Sequence, residues 1–283
     1  MKRLIVLLGV AGVSLSAVFV RWSTAPSLVL AFYRMAFSAL LLAPLAFARR
    51  AEFRELRRRE LGLSLLSGAF LGIHFSCYFE SLRWTSIAAA VVLVDTEVLF
   101  VALASALILR KKLSRRAWTA VLLAFGGGVA VALADAGGGG GAALRGNVFA
   151  LTGSVCMAVY TMLGAVCRRR LSTTVYTTLV YSAAAVTVLS AALMGGLALA
   201  GWGPVNLLAG LGMAVFCTLL GHSVFSWGLK YLPPAFVSTA KLLEPVFASV
   251  WGLLLFGERP GVLVILGGGV ILLGIALYSR EDA

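Results

Sequence analysis

The stretch Ser238-Thr-Ala-Lys-Leu-Leu-Glu-Pro-Val-Phe247 sets two charges and a proline inside a long apolar run. Moved back by 147 positions, it lies on Val91-Val-Leu-Val-Asp-Thr-Glu-Val-Leu-Phe100. Glu244 then falls on Glu97, Phe247 on Phe100 and Leu254 on Leu107. Upstream, Ala235 falls on Ala88, Leu229 on Leu82, Lys230 on Arg83 and Tyr231 on Trp84, with no gap. The two blocks read as copies of one unit, each carrying a glutamate to a comparable depth.

Composition says what surrounds those charges. Hydrophobic residues make up 61% of the chain and charged residues 12%, with a mean hydropathy of +1.00. A soluble domain is about 45–50% apolar and about 25% charged. A chain so poor in polar surface is an integral membrane protein. The net charge of +13 would suggest nucleic acid in a soluble protein. Here the basic residues cluster between apolar runs, where they set orientation, so no nucleic-acid partner is expected. Cys77, Cys156, Cys167 and Cys217 lie in or at the end of apolar runs without a C-x-x-C spacing. They read as small buried hydrophobes, with no metal or cofactor implied.

A helix needs about 20 apolar residues to cross a bilayer core. Runs of that size occupy 4–21, 28–48, 61–80, 85–108, 117–134, 147–167, 174–199, 207–228, 235–256 and 261–279. The expected fold is therefore all-α and integral to the membrane, with ten transmembrane helices. The first run follows Lys2-Arg3 like a signal peptide, but the spans that continue to the end favour an uncleaved first helix. With the N-terminus inside, the cytoplasmic loops collect Lys2, Arg3, Arg49, Arg50, Arg54, Arg57–Arg59, Arg110–Lys112, Arg115, Arg116, Arg168–Arg170, Lys230 and Arg280. The opposite side receives only Arg21, Arg83, Arg145 and Arg259, so both termini are expected in the cytoplasm.

Gly137–Gly141 falls between spans five and six and reads as a flexible link over 135–146, joining halves 1–134 and 147–283. Five spans per half is odd, so the second half would enter from the opposite side. That makes an inverted repeat, a common plan of secondary transporters. Gly126–Gly128 and Gly267–Gly269 suit close helix packing, within the chain or in a homodimer; monomer and homodimer both remain expected states.

Arg34, Asp95, Glu97, Lys241 and Glu244 all fall well inside spans. Each ionised group at the bilayer centre costs roughly 2.5–3.5 kcal/mol, so five amount to on the order of 12–18 kcal/mol before pairing. They must meet each other, a water-filled cavity or a proton. Structural pairing would join Lys241 to Glu244 at i, i+3 and Arg34 to Asp95 or Glu97. The functional reading makes Glu97, Glu244, Lys241, Arg34 and Asp95 the lining of a substrate site. Asp95 and Glu97 stand roughly 200° apart on a continuous helix, so one of them is expected to face the cavity. Tyr78 and Trp227 lie deep enough to stack on a substrate. His74 and His222, with Glu80, are candidates for proton coupling, since histidine titrates near neutral pH. Pro245 is the candidate hinge, because it removes a backbone hydrogen bond beside a central charge. No H-E-x-x-H, G-x-S-x-G or Walker lysine loop is present, which argues against an enzyme or a self-contained ATP-driven pump.

The run from Gly221 to Pro234, then Lys241-Leu-Leu-Glu-Pro-Val-Phe-Ala248 and Leu254-Leu-Phe-Gly-Glu-Arg259, resembles the EamA family of the drug/metabolite transporter superfamily. Tyr78 to Ala90 carries the same likeness in the first half. The resemblance implies ten helices in two inverted five-helix repeats around a central cavity. It also implies secondary transport, often metabolite or amino-acid export. The sequence departs from the family's usual pattern at Val98, where proline is common, and at Glu97 and Lys241, where the residues are usually uncharged. Arg110-Lys-Lys also replaces the usual Gly-Glu. The function expected is secondary transport of a small polar or zwitterionic metabolite, an amino acid first, across the cytoplasmic (inner) membrane, with a proton as a possible coupling partner. A passive facilitator is the rival, and a membrane-embedded enzyme a more distant one.

Overall fold

The computed structural model describes residues 2–108 and 114–279, and every regular element among them is helical. The first crossing is made by α1 (Lys2–Val13) and α2 (Ser16–Trp22). They meet at a step where the Ser14 hydroxyl donates to the Ala11 carbonyl at 2.8 Å. Next come α3 (Ser27–Ala48), the short α4 (Arg50–Arg54) and α5 (Arg58–Trp84). The Arg57 amide donates to the Glu60 carboxylate at the start of α5. There follow α6 (Ile87–Asp95), α7 (Glu97–Ile108), α8 (Arg115–Cys167) and α9 (Thr173–Met194). The chain then runs through α10 (Pro204–Gly212), a π-helical segment (Met213–His222), α11 (Ser223–Gly228) and α12 (Pro234–Ala240). A 3₁₀ turn (Lys241–Leu243), α13 (Glu244–Phe256) and α14 (Val262–Ser279) complete it.

Among the described residues, six helical stretches are long and apolar enough to cross a membrane. They are Lys2–Trp22, Ser27–Ala48, Arg58–Trp84, Gly141–Cys167, Thr173–Met194 and Pro204–Gly228. Their outward faces leave Leu8, Leu40, Leu65, Val186 and Leu208 exposed, a surface suited to lipid and not to water. α5 lies at the centre, packed on α8 and α9, while α3 also packs on α9.

Three expectations need correction. Span 85–108 is not one helix: it breaks at Thr96, where the Thr96 hydroxyl donates to the Leu93 carbonyl at 2.6 Å and the local amide bonds tighten to i, i−3. Span 235–256 breaks at Lys241–Leu243. Pro245 does not interrupt a continuous helix there. It falls in the first turn of α13, where a missing N–H costs nothing.

The third correction concerns Gly137–Gly141, which is helical within α8 and not a flexible link. Alanine and leucine on both sides nucleate helix. Each residue added then gains a hydrogen bond, which offsets glycine's disadvantage of about 1 kcal/mol. The 53 residues of α8 would run about 80 Å if straight, against a hydrocarbon core of about 30 Å. They are enough for two crossings. The earlier part packs on α14, where a Cβ on Gly127 would come 2.7 Å from the Gly267 carbonyl, so Gly127 serves packing within the chain, while Gly126 and Gly269 meet nothing within 4 Å. The later part packs on α5, with Gly153 beside His74. The basic run Arg110–Lys112 and Arg280 lie outside the described residues.

The tight contact between α5 and α9 gives a test of the packing. A Cβ on Gly68 would sit 2.4 Å from the Val180 carbonyl oxygen and 2.6 Å from the Ala183 Cβ, whereas one on Gly62 would meet nothing within 4 Å. Gly68→Leu should destabilise the protein by about 2–3 kcal/mol through overpacking, and Gly62→Leu should leave it unchanged. Thermal unfolding of the two variants in detergent micelles measures the contrast.

Candidate functional site

The two helix breaks face one another. Glu97 is the first residue of α7 and Glu244 the first of α13, so the two glutamates paired by the repeat each open the second part of an interrupted span. The positive end of a helix dipole favours a carboxylate at that position. Lys241 follows the C-terminal end of α12, where the dipole favours a cation. Its ammonium donates to Glu97 Oε1 at 2.7 Å, with side-chain exposures of 5% and 1%. The pair is therefore a desolvated salt bridge that ties one break to the other.

Asp95, Glu97, Lys241 and Glu244 all line a single closed cavity of about 20 Å³. His74 and Tyr78 of α5 and His222 of the π-helical segment share that lining, with Phe75, Phe225 and Met157 as its apolar walls. A volume of this size holds about one water molecule and no metabolite. The aromatic walls interlock: His74 stacks on Tyr78 at 6.1 Å, Phe75 meets His222 edge-on at 5.2 Å, and His222 meets Phe225 at 5.9 Å. His74 Nδ1 lies 2.9 Å from the Gly153 carbonyl, which can only accept, so the proton sits on Nδ1 and Nε2 is the free acceptor. Among the described residues, Tyr78 Oη, Asp95 Oδ2, Glu97 Oε2 and His222 Nδ1 are buried with no hydrogen-bond partner. Four polar atoms in such a state leave a site short of partners.

The remaining candidates fall elsewhere. Arg34 is fully buried but does not pair with Asp95 or Glu97. Its Nε donates to the Thr218 hydroxyl at 2.8 Å, a terminal nitrogen donates to the Ser16 hydroxyl at 2.9 Å, and the guanidinium lies 3.9 Å from the Phe75 ring centroid. It props the wall behind the cavity. Lys241 bridges to Glu97 instead of to Glu244. Asp95 and Glu97 both line the cavity, one on each side of the tightened turn at Thr96. Trp227 packs on Tyr231 at 5.0 Å in a separate apolar cluster. Glu80 accepts from the Trp84 indole at 2.8 Å near the end of α5, away from the cavity.

Ser16 also lines the cavity, and sequence reasoning missed it. Its signal is a small polar residue between Ser14 and an apolar run in the first span. The cavity lies between two polar seams at opposite ends of α5. At the early end, Arg170 pairs with Glu60 at 3.5 Å and the Ser172 amide donates to Glu52 at 2.6 Å. At the late end, Arg21 pairs with Glu258 at 3.2 Å and donates to the Thr85 carbonyl at 3.1 Å, while the Ile87 amide donates to Glu258 at 3.3 Å. His74 stands about 21 Å along α5 from Glu60 and about 15 Å from Trp84.

A multi-pass helical membrane protein with a closed, charged chamber between interrupted helices is built as a transporter is built. The chain belongs to the EamA-like transporter family, whose profile matches residues 2–133 and 144–280. It is similar to an uncharacterized transporter of Archaeoglobus fulgidus, at 24% identity over 89% of this chain and 88% of that one. It is likewise similar to the pseudopaline exporter CntI of Pseudomonas aeruginosa, at 26% identity over 91% of this chain and 88% of that one. One solved crystal structure shares the fold, with a TM-score of 0.72 and 16% identity over 99% of this chain and 97% of that one. The protein is a membrane transporter of the drug/metabolite type and not an enzyme.

Removing one partner of a buried pair leaves the other charge uncompensated, at a cost of about 3–5 kcal/mol. Glu97→Gln should lower stability by that amount, and adding Lys241→Met should recover most of the loss. A double-mutant cycle by thermal unfolding in detergent measures the coupling.

Proposed function

We propose that the protein is a secondary transporter that moves a small polar or zwitterionic metabolite, an amino acid first, out across the cytoplasmic membrane. It works by alternating access between two inverted five-helix halves, ten spans in all, with both termini in the cytoplasm. The observation that carries this reading is the meeting of two interrupted helices at a closed chamber lined by Asp95, Glu97, Lys241 and Glu244. Interrupted helices near the middle of the membrane are where transporters coordinate charged cargo. Carboxylates suit a cargo ammonium and the lysine suits a cargo carboxylate, the two ends of a zwitterion. The chamber holds no cargo-sized space as it stands, so loading requires the seam at Glu258 or the one at Glu60 to part. Similarity to an exporter supports the outward direction.

Purified protein in liposomes, screened with a panel of labelled amino acids, should show saturable flux and counterflow. Glu244→Gln should reduce that flux at least about tenfold, as loss of an interaction worth about 1.4 kcal/mol or more. Glu80→Gln and Trp227→Phe, outside the chamber, should stay within about twofold of the starting rate. Flux that neither saturates nor supports counterflow would identify a passive facilitator instead. Undiminished transport in the combined Glu97→Gln, Glu244→Gln, Lys241→Met variant would take these side chains out of the mechanism.

A further inference from the structure

We infer that Lys241 is a tethered stand-in for the cargo's ammonium group: it occupies Glu97 while the carrier is empty and gives that place up when an amine-bearing cargo binds. The inference rests on the transporter reading and adds the class of cargo and the means by which the empty carrier returns.

The charge inventory of the chamber sets the class. Three carboxylates, Asp95, Glu97 and Glu244, line it against the single ammonium of Lys241. The nearby guanidinium of Arg34 is not part of the lining: two of its nitrogens donate to Ser16 and Thr218, it lies on the Phe75 ring, and its other terminal nitrogen has no partner. Asp95 Oδ2 and Glu97 Oε2 have no donor, so the acceptors outnumber the donors offered to them. A second cation completes this site, whereas a second anion meets unpaired carboxylates in a dry cavity. The cargo therefore carries a protonated amine.

The position of Lys241 sets the exchange. Its ammonium already lies 2.7 Å from Glu97 and 5.3 Å from the Phe225 ring centroid, the surroundings that suit a bound ammonium ion. Glu244, three residues on and on the same cavity wall, is placed to receive Lys241 once the cargo displaces it. With the cargo gone, Lys241 returns to Glu97. The empty carrier thus reorients with its carboxylate paired and needs no second ion to do so.

The test separates two transport modes in liposomes containing the full chain. Labelled L-lysine, L-leucine, putrescine and succinate serve as probes, in release into probe-free buffer and in exchange against the same compound. The amine-bearing probes should move and succinate should not. In Lys241→Met the empty carrier must reorient with Glu97 unpaired, so net release should fall at least about tenfold. Exchange, in which cargo covers Glu97 on both legs, should fall less than net release, so that the ratio of exchange to release rises at least about fivefold. Equal loss of both modes, or transport of succinate as fast as of the amines, overturns the inference.

If no probe moves in the unmodified protein, the transport reading fails and a cargo-free measurement decides this one. Lys241→Ala leaves a hole at Glu97, so ethylammonium should raise its melting temperature by about 2 °C or more, and tetramethylammonium, which has no N–H to donate, should not. Glu97→Gln with Lys241→Ala should not respond to ethylammonium. The absence of an ethylammonium effect on Lys241→Ala, or its persistence in the double variant, rejects Glu97 as the ammonium site.

Discussion

The salt bridge between Lys241 and Glu97 organises the molecule, because a bilayer offers no other way to hold these charges. Neither side chain can turn outward without facing lipid, so each must stay in the interior and find the other. That requirement selects the backbone around it. A continuous helix through 85–108 would aim Asp95 and Glu97 in different directions, and one through 235–256 would leave Lys241 and Glu244 on the same stripe as their apolar neighbours. Breaking both helices frees each charged group to point at the gap and sets three of them at helix ends whose dipoles match their sign. The lost backbone bonds are partly recovered locally, through the Thr96 hydroxyl in one break and the 3₁₀ turn in the other.

Rigidity around the gap comes from α5 and the ring system it carries. His74, Phe75, Tyr78 and Phe79 occupy successive turns of one helix, and the glycines on its other flank let α9 approach to backbone contact. The guanidinium of Arg34 lies on Phe75 from behind, so the cavity wall is held by a cation it does not show to the cavity. The π-helical segment supplies His222 on the opposite side. Helices of that type gather at functional sites, since the widened turn shifts side chains out of the ordinary register. The chamber is thus closed by aromatic faces, while the seams at Glu60 and Glu258 are made of partly exposed ion pairs. Exposed pairs of this kind contribute at most about 1 kcal/mol. The walls are strong and the ends are weak, the distribution that lets the ends part without dissolving the site.

Membrane residence was legible from composition, and the offset of 147 positions singled out Glu97 and Glu244 before any coordinates. What the sequence could not convey is where helices stop. Apolar runs on either side of Thr96 and Lys241 have the same hydropathy as an unbroken span, because hydropathy counts side chains and a break is a matter of backbone bonds. The same blindness hid the pairing. Lys241 and Glu244 look like partners at i, i+3 on a continuous helix, whereas Lys241 pairs with Glu97, 144 positions away in the chain. Arg34 misled for another reason: burial alone implied a charged partner, whereas its contacts are two hydroxyls and an aromatic face, with one terminal nitrogen left unpartnered. Gly137–Gly141 misled in the opposite direction, since glycine permits a loop without requiring one.

The two breaks are alike in position and unlike in construction. In the first half Val98 follows Glu97, and the interruption depends on one threonine hydroxyl bonded to Leu93 and in contact with Ser154 at 3.1 Å. In the second half Pro245 follows Glu244, and proline bars the amide bond that would rejoin the helix. The two breaks are therefore held by different groups. Moved back by 147 positions Lys241 falls on Val94, so this cation belongs to the second break alone. A carrier built from equivalent halves would present the same barrier in both directions. Here a break held by one hydroxyl meets a break beside a proline, and Lys241, the side chain inferred to leave Glu97 for Glu244, belongs to the second. Backbone motion is then expected to begin at Thr96.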